Sequence, residues 1–247
     1  MVLTWRDLAI GIALIGLAWW ALAAAVSNPA FPGPLPAADA LARLLVAGEL
    51  AAHLAASAWR VLASLAVSLV LAVPLGLVLG RKQAWDRVLA PAVYLLYPVP
   101  KIVLLPLIMV LAGIGEVAKI TVIFLVIFFQ LLVTTRDAAR AIPVPTVLSV
   151  KSLGAGEGDI YRHVVIPACL PAILTGVRIS LGTAISVLFF AETVAGTSGL
   201  GYAILDAWHR AAYSQMFAAI LAMSLLGLSF YYIIDLLERW WCRWQYL

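Results

Sequence analysis

The sequence predicts an all-helical, polytopic membrane domain that crosses the bilayer about six times. Three observations carry this expectation. Of 247 residues, 65% are hydrophobic and only 11% are charged, too few charges to cover a soluble surface. Apolar runs near the roughly 20 residues needed to span hydrocarbon take up most of the chain. The runs are continuous, without the period-two alternation that a membrane barrel requires.

In chain order, spans are expected near Leu8–Val26, Leu54–Leu79, Leu89–Leu111, Val117–Val133, Leu170–Ala191 and Met216–Leu237. The first, preceded by Arg6 and ending at Ala23-Ala24-Ala25, resembles a signal peptide, but it is long for one and contains Trp19-Trp20. It is read as an uncleaved span. Ser27 to Glu49 carries Pro29, Pro32, Pro34 and Pro36, so it cannot begin as helix and reads as an outer loop in which Asp39 opens a short helix. The third span has Pro91, Pro98, Pro100 and Pro106 within or beside it. Each proline removes a backbone donor, so this span should be kinked and face protein or a cavity rather than lipid. Residues 1–53 thus form a first span and outer loop, 54–240 a five-span core, and 241–247 a tail. The chain has too few spans for a two-half secondary transporter.

Lys and Arg set the orientation. With the N-terminus inside, the inner segments hold ten of them (Arg6, Arg81, Lys82, Arg87, Arg136, Arg140, Lys151, Arg162, Arg239, Arg243). The outer segments hold three, Arg43, Lys119 and Arg210. Both termini should therefore be cytoplasmic, with Trp240, Trp241, Trp244 and Tyr246 in an inner interfacial belt. The net charge of +4 is scattered between apolar runs, which argues against a nucleic-acid partner. Cys169 and Cys242 belong to no CxxC or Cys/His cluster, so neither zinc nor a disulfide framework is implied.

The longest inner loop, about 134–168, is too patterned for a linker. Val147 to Gly154 reads as a short amphipathic helix ended by glycine. Gly154-Ala155-Gly156-Glu157-Gly158 reads as a turn whose glycines permit positive φ. Asp159 is expected to cap a second helix, Ile160 to Val165, which ends before Pro167. The product is a compact knob.

Ionisable residues within spans are functional suspects. Arg60 and Arg178 lie near span ends, where they can snorkel to an interface. Asp235 and Glu238 sit beside Arg239, where local pairing accounts for them. Lys101 follows Pro98-x-Pro100 well inside its span and should face water or protein. Glu192, at the outer end of the fifth span, either pairs with a cation or contacts substrate. Asp206, His209 and Arg210 read as a solvated outer segment or as a contact for a binding protein. Gly196-Thr197-Ser198-Gly199 contains G-x-S-G, but a nucleophilic serine needs a positioned base. His209 is the only histidine after it, and His53 and His163 lie on other segments. A re-entrant loop opened by Ser198, Gly199 and Gly201 is the better reading than an intramembrane serine protease.

Ser152-Leu153-Gly154-Ala155, then Val164-Val165-Ile166-Pro167 and Leu170-Pro171, resembles the EAA loop of binding-protein-dependent ABC importer permeases. Gly154, Val164 and Ile166-Pro167 keep the spacing of that motif, whereas Leu148, Ser149 and Val150 stand at its Glu-Ala-Ala positions. Pro98-x-Pro100, Leu105-Pro106-Leu107, Gly113-Ile114-Gly115-Glu116, Gly176-Val177-Arg178-Ile179 and Ser198-Gly199-Leu200-Gly201-Tyr202 are similar to the nitrate/sulfonate/taurine branch. The resemblance covers roughly residues 55 to 240.

The resemblance implies a type I ABC importer permease of a bacterial-type inner membrane, with no catalytic site or metal of its own. Two such chains, expected as a homodimer with a heterodimer still open, would form the pathway. Two ABC ATPase subunits would carry ATP and magnesium, and an external binding protein would deliver a small, mostly anionic solute. The absence of a G-x-x-x-x-G-K-[ST] loop fits this division of labour. Lys151, Ser152, Leu153, Gly154, Ala155, Asp159, Ile160 and Arg162 are the expected ATPase-coupling residues. Lys101, Ser186 and Glu192 are the expected pathway residues. A channel or ion-coupled carrier is the rival reading, and it should show poised membrane carboxylates or a selectivity ring.

Overall fold

The computed structural model describes residues 5–245, and among these every regular element is helical. Tyr246 lies outside the described residues. The order is α1 (Trp5–Val26), α2 (Pro34–Val46), α3 (Glu49–Arg81), α4 (Gln83–Leu96), α5 (Leu105–Ala112), α6 (Glu116–Ala141), α7 (Val144–Ser152), α8 (Glu157–Ile160), α9 (Ile166–Ala195), α10 (Leu200–His209) and α11 (Tyr213–Trp241). Five helical stretches are long and apolar enough to cross a membrane, and α4 with the segment Lys101–Ala112, bent by 82°, makes a sixth if the pair is one span. The six expected spans are reached when this bent pair counts as one, broken, span.

The break follows from proline chemistry. Pro98 and Pro100 cannot donate to the carbonyls one turn back, so α4 stops and a short 3₁₀ turn, Lys101–Leu104, leads into α5. Lys101 Nζ donates to Leu96 O (2.8 Å), the carbonyl one turn back that Pro100 cannot serve, and to Tyr97 O (2.5 Å).

Three expectations are corrected. The short helix of the proline-rich segment opens at Pro34, not Asp39. Pro34 and Pro36 fall in the first turn, where amides have no intrahelical partner and a fixed φ suits the helix. Asp159 is not an N-cap; Gly156 holds that position, and Asp159 accepts a 3.1 Å bond from the Gly156 N–H. Pro167 does not end the second helix. A π turn over Tyr161–Val165 carries α8 into α9, with the Ile166 N–H reaching back to Tyr161 O. The wider turn places Pro167 where its missing donor is tolerated, so the span begins well before Leu170.

The chain forms two compact units. One comprises the segments through Ser57 and Gly196–Leu225. In it, Trp19 stacks on Phe217 at 5.7 Å and donates through Nε1 to Pro32 O (3.1 Å), and Phe31 meets Phe217 edge-on at 5.4 Å. The other comprises Ala58–Ala195 and Leu226–Leu247. Its centre is α6 packed along α9, with Ile123, Ile127 and Leu131 of α6 and Leu188 of α9 fully buried. α3 closes on α6 through glycine. A Cβ at Gly80 would lie 2.4 Å from Arg136 O and 2.6 Å from Ala139 Cβ, so only glycine permits this approach.

The intramembrane cations are paired rather than snorkelling. Arg60 is buried and bonds Glu192 Oε1 through Nη1 (2.6 Å) and Glu116 Oε2 through Nε (2.7 Å). Arg178 bonds Glu238 and lies 3.6 Å from Asp235, tying α9 to α11, while Arg239 pairs with Asp235 at 2.8 Å as expected. Lys119, assigned to an outer segment by sequence, is buried in α6 with its ammonium 3.5 Å from Glu116. Desolvation is the common cause: a cation held between apolar helices needs a fixed carboxylate more than a route to water.

Candidate functional site

The knob predicted from sequence is a helix–turn–helix over residues 144–165. Val144 and Pro145 open α7, where proline is well tolerated. Two serines satisfy carbonyls along it: Ser149 Oγ donates to Pro145 O and Ser152 Oγ to Leu148 O, both at 2.9 Å. The helix closes with the Gly154 N–H on Lys151 O (3.0 Å) and Gly154 at φ +88°. Gly156, at φ −76°, needs no such freedom, so only the first glycine of the turn performs the role assigned to all three. The Ile160 N–H then bonds Gly156 O at 3.1 Å and starts the second arm.

The apolar residues of the knob divide into two sets. Ile160 and Val165 are buried with Leu77, Ala139, Ile142, Cys169 and Ile173, and Val147, Ala155, Tyr161 and Val164 pack against that cluster. Leu153, Val144 and Leu148 are 87%, 64% and 54% exposed, and Val144 and Leu148 also line a cavity beside Ile160 and Val165. Lys151, Ser152, Gly154, Asp159 and Arg162 are exposed alongside them. The base is stiffened where Arg136 of α6 grips Asp86 of α4 through Nε (2.5 Å) and Nη2 (2.8 Å). The geometry is a rigid mount presenting two leucines and several polar groups.

A second feature is a chamber of about 280 Å³ at the α4–α5 break, lined among others by Tyr97, Pro100, Lys101, Phe129, Gln130 and Thr183. The Lys101 ammonium lies 4.7 Å from the centre of the Phe129 ring, a cation–π contact. Gln130 Nε2 donates to Thr183 Oγ1 at 3.2 Å, while Gln130 Oε1 is buried without a hydrogen-bond partner. One cation, one amide and one hydroxyl thus converge on an otherwise apolar space. Of the three expected pathway residues, only Lys101 lines it. Ser186 is exposed on α9 and bonds Gly182 O at 3.4 Å. Glu192 is fully buried against Arg60.

The Gly196–Gly199 loop is held by α3. The Gly199 N–H donates to His53 Nδ1 (3.0 Å) and the Leu200 N–H to Ser57 Oγ (2.8 Å), with Gly199 at φ +109° and Gly201 buried. Ser198 is half-buried in the same loop. His53 therefore acts as an acceptor for a backbone amide and orders the start of α10. Sequence reading marked Arg60, Glu192 and His53 singly but not their partners, which lie 132 residues from Arg60 and 146 from His53.

Residues 72–242 match the model of the binding-protein-dependent transport system inner membrane component. The chain belongs to that family. It is the permease, the transport subunit, of an ABC importer and a multi-pass inner-membrane protein, and the family works with an ATPase and a substrate-binding protein. The permease is 32% identical over 230 residues to the taurine transport system permease protein of Escherichia coli (strain K12), covering 89% of this chain and 83% of that one. It is 34% identical over 232 residues to a protein of the same strain described as an aliphatic sulfonates transport permease, covering 93% and 88%. Its fold matches a chain of the inward-facing MetNI methionine ABC transporter with a TM-score of 0.64 at 19% identity, over 76% of this chain and 94% of that chain.

Proposed function

We propose that this permease imports a small anionic, sulfonate-like solute, and that Lys151 to Arg162 couple it to ATP hydrolysis on two partner ATPase subunits. ATP and magnesium belong to those partners, and no cofactor is expected on this chain. A second copy of the permease completes the pathway, and an external binding protein delivers the solute. The observation that carries the coupling assignment is the exposure of Val144, Leu148 and above all Leu153 on a mount anchored by the packed Val147, Ile160, Val164 and Val165. Two leucines projecting from a polar knob are suited to burial in a partner's groove. Within the family, the ATPase is the partner such a knob would meet.

The Lys and Arg distribution, ten in the inner segments against Arg43 and Arg210 outside, supports a cytoplasmic position for both termini and the 134–168 loop. Cysteines introduced at Ser152 and Ser198 should then label from opposite sides of the membrane. Cys169 and Cys242 are buried and should contribute little background. Labelling of both introduced sites from one side would reject the topology.

The anionic substrate class is supported by the taurine and sulfonate permeases among the relatives and by the Lys101 chamber. A cation in a low-dielectric recess raises the local concentration of anions. Lys101→Met should lower uptake roughly tenfold or more while assembly and basal ATP hydrolysis persist. Because Lys101 also holds the carbonyls of Leu96 and Tyr97, Lys101→Gln is the decisive control, since it keeps a donor and drops the charge. Parental uptake by Lys101→Gln would confine Lys101 to holding the helix break. Ser186, exposed on α9, keeps its proposed place in the pathway, whereas Glu192, fully buried against Arg60, is reassigned from the pathway to support of its wall.

A further inference from the structure

A groove of about 810 Å³ runs between α3, α9 and α11, with Leu65, Val73, Ile173, Leu174, Phe230 and Ile234 among its walls. On α3 it extends from Leu62 to Val78, about 24 Å at 1.5 Å per residue, longer than half of a hydrocarbon core of about 30 Å. Trp241 stands at one end, the residue type enriched at the interface. Tyr161 stands at that end too, and it also lines a second cavity of about 310 Å³. That neighbour holds Arg81, Lys82 and Lys151 with the single carboxylate of Glu157. Among the described residues no ion pair engages any of these three cations. The Tyr161 hydroxyl, at the junction, is buried without a hydrogen-bond partner.

We propose that the groove and the basic cavity together form a binding site for one anionic phospholipid. The acyl chains lie in the α3–α9–α11 groove, the phosphate meets Arg81, Lys82 and Lys151, and the Tyr161 hydroxyl donates to the glycerol–ester region between them. Charge complementarity selects this occupant. A purely apolar partner would leave three cations facing a buried hydroxyl, and a soluble anion would leave the groove unfilled. The headgroup would sit against α7, so the lipid would brace the knob; that consequence rests on the coupling role proposed above, whereas the binding site does not.

The test is native mass spectrometry of the permease purified with its ATPase, delipidated in detergent and titrated with phosphatidylglycerol or phosphatidylcholine. One phosphatidylglycerol should be retained in preference to phosphatidylcholine. Each cation neutralised (Arg81→Gln, Lys82→Gln, Lys151→Gln) should reduce that preference about fivefold. Tyr161→Phe, which keeps the ring and removes the hydroxyl, should weaken retention without altering expression, and Leu170→Trp, which narrows the groove, should weaken retention of both lipids. Equal retention of the two lipids, or a preference surviving in the triple Gln variant, would overturn the proposal. So would disulfide formation between Leu170→Cys and a helix of a second permease copy, which would make the groove a protein interface. Since retention is read without transport, its failure leaves the coupling assignment standing.

Discussion

Gly154→Leu is expected to insert and assemble normally yet lose nearly all transport and substrate-stimulated ATP hydrolysis. Gly154 closes α7 at φ +88°, a conformation that costs an L-residue about 1–2 kcal/mol. A Cβ there meets nothing within 4 Å of this chain, so the knob has no internal clash to relieve. The added side chain projects into the space a docked partner would occupy, where a misfit costs a further 1–3 kcal/mol or so. Gly154→Ala should bear the backbone cost with little obstruction and fall between parent and Leu. Gly156→Ala is the matched control: its φ is −76° and its Cβ would meet Asp159 Oδ2 at an ordinary 3.5 Å. Graded uptake in reconstituted vesicles, with Gly156→Ala near parental, is the pattern the coupling role predicts. Full transport by Gly154→Leu would remove the knob from the coupling path.

The second large effect falls on folding. Arg60→Met should destabilise the solubilised permease by about 3–5 kcal/mol, the usual cost of removing one partner from a buried ion pair. Arg60 is 1% exposed and Glu192 0%, so the bond between them is shielded from water, whereas Glu116 is half-exposed. Glu192→Gln should therefore cost more than Glu116→Gln, although Glu116 also holds the buried Lys119 ammonium. Arg60→Lys should recover only part of the loss. The guanidinium reaches Glu192 with one nitrogen and Glu116 with two others, and a single ammonium cannot reproduce that fork. Thermal unfolding followed by size-exclusion chromatography reads the order. Equal loss from Glu116→Gln and Glu192→Gln would show that burial does not set the energetics of this cluster.

What was legible in the sequence is what is local. Continuous apolar runs gave α1, α3, α6, α9 and α11, because covering a backbone in hydrocarbon leaves helix as the solution. The proline cluster at Pro98 and Pro100 announced the broken third span for the same reason. The knob was legible through Gly154 and the Gly-to-Pro spacing. What failed was the position of breaks that depend on helix register. Pro34 starts α2 and Pro167 lies in the first turn of α9, just after a π turn, although each is a residue that usually ends a helix. Pairing was the other failure. Arg60 and Arg178 find carboxylates 132 and 60 residues away, and nothing in the sequence near either arginine specifies which helix will face it. The chamber was half-legible: Lys101 was singled out by the prolines beside it, but Gln130 and Thr183 are ordinary polar residues until α6 and α9 are packed together.

A cysteine at Leu153 tests most directly whether residues 151–162 meet the ATPase. Leu153 is the most exposed residue of the knob's apolar set at 87%, so Leu153→Cys disturbs no packing within this chain. Paired with single cysteines along the surface of the ATPase that faces the membrane, it should form one strong disulfide cross-link in native membranes, and the cross-linked transporter should stop hydrolysing ATP until reduced. A cysteine at Trp208, 59% exposed on α10, should form none. Absence of any cross-link from Leu153→Cys in a transporter that still imports its solute would contradict the account.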